Sequence, residues 1–272
     1  NGVRLVKGSH IVVRRLFDHD YAYLFQAPDR RIVFALPYER DFTLIGTTDV
    51  EHEGGPGAAR IGADEVAYLC GMANRYFRAS IAPADMVWTY SGLRPLLADD
   101  SADPSSATRD YALEFDDAGA PALSVFGGKL TTFRALAEEA MDRLAPRLGA
   151  RRPAWTARVP LPGGDLPQAD FDRFLATAAA RWPWLPADVL RRLARAYGSR
   201  MARILGAAGG LTDLGAELLP GLYAAEVEYL LREEWARTAE DILWRRSKLG
   251  LHLGAGAAEA LDRWLAGGRA TR

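Results

Sequence analysis

Short apolar runs separated by polar turns recur through the first half of the chain, and each has the length and composition of a β-strand. The runs are GSHIVVRR, YAYLFQ, RIVFALP, FTLIGTTDV, RDYALEF and ALSVF. Neighbouring runs are joined by short connections, which predicts an antiparallel or mixed sheet. One segment, from Asp64 to Arg78, instead has its apolar residues at helical spacing.

The second half of the chain has a different pattern. A second helix is predicted near Thr131, and residues 151–167 are then rich in proline and glycine, which is typical of a linker. The remaining sequence has helical periodicity almost throughout. We therefore expect an α+β protein, with a sheet-and-helix domain over residues 1–150 and an all-α C-terminal domain over residues 151–272.

Composition and charge narrow the class of protein. The chain has 272 residues, of which 49% are hydrophobic and 25% charged, as in a globular protein. A formal net charge of -1 argues against nucleic acid as a partner. Cys70 is the single cysteine, which excludes an internal disulfide framework and fits a reducing compartment. The four histidines are scattered, so the sequence predicts no metal site.

The stretch VFGGKLTTFR has the pattern of a strand, a glycine turn and a helix start. Gly127 and Gly128 leave the backbone open to a bound group, and the first N–H groups of the helix, at Leu130 and Thr131, favour negative charge there. Lys129 adds a cation. The spacing fits neither a Walker A loop nor a G-x-G-x-x-G dinucleotide turn. An ordinary turn with a solvated lysine is the alternative interpretation.

Four further residues are candidates for binding or catalysis. Arg94 and Arg109 lie in or beside predicted strands, and an arginine binds a carboxylate or phosphate through two oxygens at once. Thr48 stands at a strand end, where its hydroxyl either binds a ligand or caps the turn. His10 lies at the start of a strand. For the arginines a structural ion pair is the alternative, and for His10 a purely structural role.

Taken together, these stretches resemble FAD-dependent glycerol-3-phosphate dehydrogenases. The resemblance rests on VRLVKGSHIVV, IGTTDVEHEG, VWTYSGLRPLLADD, TRDYALEF and LSVFGGKLTTFRALAE in this order, and on DLGAELLPGLYAAEVEYLL in the helical half. It extends over essentially the whole chain. Arg14 departs from the pattern, since a proline is expected after SHIVV.

The resemblance implies a reaction and a role for each candidate. Glycerol 3-phosphate is oxidised to dihydroxyacetone phosphate, with FAD taking a hydride and a quinone receiving the electrons. Arg94 and Arg109 would hold the phosphate, with Thr48 a weaker candidate for substrate contact. Lys129 would be the catalytic residue, with His10 the alternative base. Residues 127–131 would contact the flavin.

The family also has an N-terminal FAD-binding Rossmann unit, and no stretch of this sequence corresponds to it. We therefore expect a C-terminal fragment that is inactive alone. The resemblance implies a cytoplasmic location at the inner face of the membrane and leaves a homodimer open. Two other interpretations remain. The first is a related flavin amine or amino-acid oxidase, and the second is a non-catalytic interaction or membrane-docking module.

Overall fold

The computed structural model describes residues 3–97, 110–149 and 152–269. The chain divides into two compact units, Asn1–Thr156 and Ala157–Arg272. The predicted domain boundary after residue 150 stays a prediction, since it lies outside the described residues.

The first unit contains two antiparallel sheets, as the short apolar runs predict. Its strands are β1 (Val3–Arg14), β2 (Tyr23–Gln26), β3 (Ile32–Tyr38), β4 (Phe42–Gly46), β5 (Val50–Glu51), β6 (Met86–Leu97), β7 (Tyr111–Asp116) and β8 (Ala122–Gly127). Strand β1 is the centre of the larger sheet, because it pairs with β4, β5 and β6. Strands β3 and β2 extend this sheet beyond β4. Strands β7 and β8 form a separate hairpin.

One face of the larger sheet carries the hydrophobic core of the first unit. Helix α1 (Ala63–Tyr76) packs on that face. Side chains alternate across a strand, so the odd-numbered residues of β1 point towards the helix. Ile11 and Val13 of β1 join Leu69 of the helix in this core. The even-numbered residues of β1 point to the other face, which carries the candidate site. The first unit also contains α2 (Phe133–Leu148), which begins shortly after the predicted glycine turn.

The second unit is mostly helical. Its helices are α3 (Phe171–Arg181), α4 (Ala187–Tyr197), α5 (Met201–Leu205), α6 (Ala224–Glu233), a π-helical segment (Asp241–Arg246) and α7 (Ala257–Arg269). The all-α expectation is not confirmed, because β9 (Glu217–Leu219) and β10 (Leu222–Tyr223) pair as an antiparallel hairpin. Strands of three and two residues are too short to show the alternation by which strands are recognised in a sequence.

A buried ion pair joins two helices of the second unit. Glu226 of α6 is almost fully buried and accepts two hydrogen bonds of 2.6 Å from the guanidinium of Arg192 in α4. The hydroxyl of Tyr197 donates to the same carboxylate at 2.7 Å. Burial, followed by the charge of Glu226, raises the pKa of Tyr197. The tyrosine therefore stays protonated and can act as a donor.

Candidate active site

A row of paired residues crosses the face of the larger sheet opposite α1 and includes His10. The strand register places Phe34 of β3 opposite Gly46 of β4, Gly46 opposite His10 of β1, and His10 opposite Tyr90 of β6. The rings of His10 and Tyr90 are stacked, with centroids 4.8 Å apart and an angle of 9° between the planes. The imidazole therefore lies between a tyrosine ring and a glycine backbone.

Gly46 leaves the space that the imidazole occupies. An ideal Cβ atom at position 46 would lie 2.6 Å from His10 Cγ and 2.7 Å from Nε2, and closer still to Cδ2. These distances are well inside van der Waals contact. Any residue other than glycine at this position would displace the ring.

His10 is neutral at physiological pH. Partial burial, followed by the positive charge of Arg94, lowers its pKa from 6.5 to about 4. Its buried Nδ1 atom has no hydrogen-bond partner among the described residues. Stacking and the Gly46 slot, rather than hydrogen bonds to Nδ1, therefore hold the ring.

Arg94 of β6 lies on the same face of the sheet as His10. Its Nη1 atom donates to Asp49 Oδ1 at 2.8 Å, and its Nη2 donates to Thr47 Oγ1 at 3.3 Å. Both acceptors belong to the segment between β4 and β5. Arg94 thus forms the ion pair that was the alternative to a binding role. Its side chain is nevertheless 31% exposed, which leaves part of the guanidinium accessible.

Thr48 lies in a buried network and not beside His10. Its hydroxyl donates to Glu65 Oε1 at 2.6 Å and accepts from the backbone N–H of Ser9 at 3.0 Å. Glu65 also pairs with Lys7 at 2.8 Å. Burial would raise the pKa of Glu65, but the hydrogen bonds that it accepts from Lys7, Thr48, Gly62 and Ser9 bring it below the ordinary value. The role of Thr48 in substrate contact stays a prediction, although its hydroxyl is committed to this network.

The predicted glycine turn forms at the end of β8. Gly127 and Gly128 have φ angles of 74° and 100°, in the region that favours glycine. A Cβ atom at Gly127 would lie 2.7 Å from the carbonyl oxygen of Asp110 and 3.2 Å from Leu97, the last residue of β6. The turn therefore meets the end of the strand that carries Arg94, and close backbone packing is a reason for glycine here independent of any ligand.

A short 3₁₀ turn, Leu130–Thr132, follows the glycines and leads into α2. Lys129 is exposed at its start, and Leu130 is 89% exposed. The side chain of Thr132 closes the turn by pairing with the backbone of Lys129. Within the part of the chain that the structure describes, no backbone hydrogen bond uses the N–H groups of Leu130 or Thr131, so both can donate to a bound group.

The other site predictions are not resolved by these contacts. Arg109 lies outside the described residues, so its role stays a prediction. Among the described residues no cluster of three or more histidine, cysteine or acidic side chains could hold a metal ion. Within the same residues, no helix is both long and apolar enough to cross a membrane.

Sequence reasoning missed four residues that shape the site: Gly46, Tyr90, Asp49 and Glu65. Gly46 and Tyr90 act through strand register, which places residues far apart in sequence side by side. Glu65 looks like an ordinary exposed acid in the first turn of a helix. Only for Asp49 does the sequence offer a signal, because it directly follows the threonines of IGTTDV, a stretch that the sequence marks as a candidate for ligand binding.

Comparisons with known proteins match nearly the whole chain. The family model of FAD dependent oxidoreductases matches residues 1–134, and that of the C-terminal domain of alpha-glycerophosphate oxidase matches residues 154–266. The chain belongs to the FAD-dependent oxidoreductase family. The resemblance that the sequence motifs indicate is thereby confirmed.

Relatives in this family include dehydrogenases of two phosphorylated polyols. The chain is 48% identical to glycerol-3-phosphate dehydrogenase of Pseudomonas aeruginosa, over 97% of this chain and 52% of the relative. It is 43% identical to D-erythritol 1-phosphate dehydrogenase of Brucella abortus, over 96% of this chain and 52% of the relative. The chain thus spans about half the length of these curated relatives.

A solved member of the family has the same fold. The crystal structure of glycerol-3-phosphate dehydrogenase from Bacillus halodurans, complexed with FAD, superposes with a TM-score of 0.82 at 31% identity. The match includes 99% of this chain and 54% of that chain. The observed sheets and helices are therefore those of a known oxidoreductase fold.

Proposed function

We propose that this chain is part of an FAD-dependent dehydrogenase that oxidises sn-glycerol 3-phosphate to dihydroxyacetone phosphate. The observation that carries the proposal is the pairing, on one sheet face, of a fixed guanidinium and a neutral imidazole. Arg94 offers a cation to a phosphate, and His10 offers a proton acceptor to a hydroxyl. The matched relatives act on phosphorylated polyols, which favours this substrate class over an amine or amino acid.

The phosphate end of the substrate needs cations. Arg94 has donors beyond the two that bind Asp49 and Thr47, and a guanidinium binds phosphate oxygens through parallel hydrogen bonds. The family resemblance assigns the same role to Arg109. Two arginines would offset the two charges of the phosphate.

The hydroxyl end of the substrate needs a base. In the oxidation, the C–H bond at the secondary carbon breaks with loss of a hydride, and the O–H proton passes to the base, which leaves a ketone. His10 is neutral and can accept that proton. A phosphate dianion beside Arg94 offsets the charge that lowers the pKa of His10, so substrate binding makes the imidazole more basic. Lys129, exposed beside the glycine turn, is the alternative base.

The residues of this chain fit one side of a flavin. Gly127 and Gly128 form the turn, and the N–H groups of Leu130 and Thr131, in the 3₁₀ turn that leads into α2, can donate to an anionic ring. When bound, FAD accepts the hydride from the secondary carbon. The chain's contribution is to orient the ring and to place charge-stabilising donors beside it.

The relatives leave the length of the polyol open. Identities of 48% and 43% to dehydrogenases of glycerol 3-phosphate and D-erythritol 1-phosphate are too similar to choose between three and four carbons. Both substrates share a phosphate and a secondary alcohol, so the same residues serve either. D-Erythritol 1-phosphate is therefore the second candidate substrate.

Further parts of the proposal rest on the family resemblance alone. They are quinone as the electron acceptor, a cytoplasmic location at the inner membrane face, a homodimer, a helical domain that caps the enzyme, and inactivity of this chain by itself. Co-sedimentation with liposomes and size-exclusion chromatography of the full-length protein test the membrane and dimer proposals. Comparing the activity of the chain with that of the full-length protein tests the last.

The function is tested on the full-length, flavin-loaded protein. Reduction of a quinone analogue is measured with glycerol 3-phosphate, D-erythritol 1-phosphate, unphosphorylated glycerol and amino acids. We expect turnover with one or both phosphates, and a large loss in His10→Ala and Lys129→Ala at unchanged flavin content. Turnover of amino acids, or equal rates with glycerol and its phosphate, would contradict the proposal.

A further inference from the structure

Arg94 is held against the backbone of the sheet instead of extending freely from it. An ideal Cβ atom at Gly8 of β1 would lie 2.6 Å from both Nη1 and Nη2 of Arg94 and 2.8 Å from Cζ. The guanidinium therefore rests on the glycine. An arginine side chain carries about 2 kcal/mol of rotamer entropy when free, so such a seat reduces what ligand binding must fix.

Two acceptors from the segment between β4 and β5 bind the terminal nitrogens of the guanidinium. Asp49 accepts from Nη1, and its side chain is only 16% exposed. Thr47 donates its single hydroxyl hydrogen to the carbonyl oxygen of Thr48 at 3.1 Å. Its oxygen is thus left as an acceptor for Nη2.

Gly8 lies against the guanidinium, and Asp49 and Thr47 bind two of its nitrogens, so these contacts fix the orientation of Arg94. We propose that Asp49, supported by Thr47, is a positioning residue that orients Arg94 for the substrate phosphate. This inference rests on the proposed function, since it takes the phosphate as the ligand of Arg94. Asp49 itself would not touch the substrate.

Orientation and charge predict opposite effects of removing Asp49. If the carboxylate orients Arg94, its loss lets the side chain leave the Gly8 seat, and phosphate binding weakens. If the carboxylate only offsets the charge of Arg94, its loss strengthens the attraction for a dianion. The sign of the change therefore separates the two roles.

The test compares Asp49→Ala and Asp49→Asn in the full-length, flavin-loaded enzyme. We expect Asp49→Ala to raise KM for the phosphorylated polyol on the order of 10- to 100-fold, the size of one hydrogen bond to a charged group, with little change in kcat. Asp49→Asn keeps an acceptor oxygen and should raise KM less. Calorimetry with dihydroxyacetone phosphate should show the same weakening without any turnover.

Glu51→Ala is the matched control. Glu51 lies two residues further along, and its carboxylate pairs with Arg4 at 2.7 Å, so this variant makes the same charge change without touching Arg94. Its KM should equal that of the wild type. A lower KM in both Asp49 variants, or a lower Tm with unchanged KM and unchanged product affinity, would overturn the inference. A wild-type enzyme that neither oxidises nor binds a polyol phosphate would instead refute the proposed function, and the inference with it.

Discussion

The slot that Gly46 provides for His10 leads to a specific prediction for Gly46→Ala. The φ angle of Gly46 lies outside the left-handed region that favours glycine. The predicted effect of the substitution is therefore the steric contact of its new methyl group with His10. The new methyl group would lie 2.6 Å from His10 Cγ, whereas ordinary contact begins at 3.4 Å, so the ring must move by at least 0.8 Å (3.4 minus 2.6).

The displacement can be converted into an expected loss of turnover. Tyr90 lies against the imidazole on the side of β6, so the ring cannot shift within the row without disturbing the stack. A misplacement of about 1 Å in a positioned catalytic group costs on the order of 100-fold in rate. The added methyl also costs about 1–3 kcal/mol of stability, as overpacking does. We expect folded, flavin-containing Gly46→Ala with kcat/KM lowered about 100-fold.

The assay measures kcat/KM, flavin content and Tm on the full-length enzyme. Gly71→Ala in α1 is the control, because a Cβ atom there meets nothing within 4 Å, and alanine stabilises a helix relative to glycine. A double-mutant cycle then isolates the cause. In a His10→Ala background, Gly46→Ala should have almost no further effect. Wild-type activity in Gly46→Ala, or a full additional loss in that background, would refute this reasoning.

Three further predictions concern ionisable groups. Glu226→Ala leaves the mostly buried guanidinium of Arg192 without its carboxylate and should cost about 3–5 kcal/mol of unfolding free energy, measured in urea. Glu240→Ala, at an exposed pair, should cost no more than about 1 kcal/mol. The pKa of Glu65 in the folded chain is below its ordinary value of 4.5. The carboxylate therefore stabilises the fold at pH values above 4.5, and this stabilisation is lost as the pH falls through the folded-state pKa. The Tm of Glu65→Gln should therefore fall less than that of wild type on acidification; parallel curves would contradict this. His10 should titrate by NMR near pH 4 and not near 6.5. Between these pH values the folded chain then binds fewer protons than the unfolded chain. The contribution of His10 to the free energy of unfolding therefore decreases as pH is lowered through that range. In Arg94→Ala its pKa should rise only partly, since burial is the larger cause, and a return to 6.5 would contradict that order of causes.

The sequence predicts the elements of this fold better than the contacts between them. The apolar runs predict the strands, and the glycine turn before α2 is where the pattern places it. Thr48 lies in the segment between β4 and β5, so its place in the Glu65 network depends on which strands and which helix lie beside that segment. Register is a tertiary property, set by core packing on the α1 face, and one-residue shifts exchange the two faces. The same limit hid the slot formed by Gly46 and Tyr90.

The two faces of β1 are coupled through its backbone. Ser9 and His10 are consecutive, and their side chains point to opposite sides of the sheet. The N–H of Ser9 donates to Thr48, and its hydroxyl donates to Glu65 at 2.8 Å, so the strand is fixed to α1 one residue before the imidazole. Loss of the Glu65 network should therefore lower Tm and loosen the strand beneath His10, which lowers activity and stability together. Gly46→Ala displaces the ring on the other face and leaves the hydrogen bonds of Ser9 to Thr48 and Glu65 in place, so we expect it to lower kcat/KM about 100-fold while the fold keeps this support and loses only the overpacking cost of about 1–3 kcal/mol.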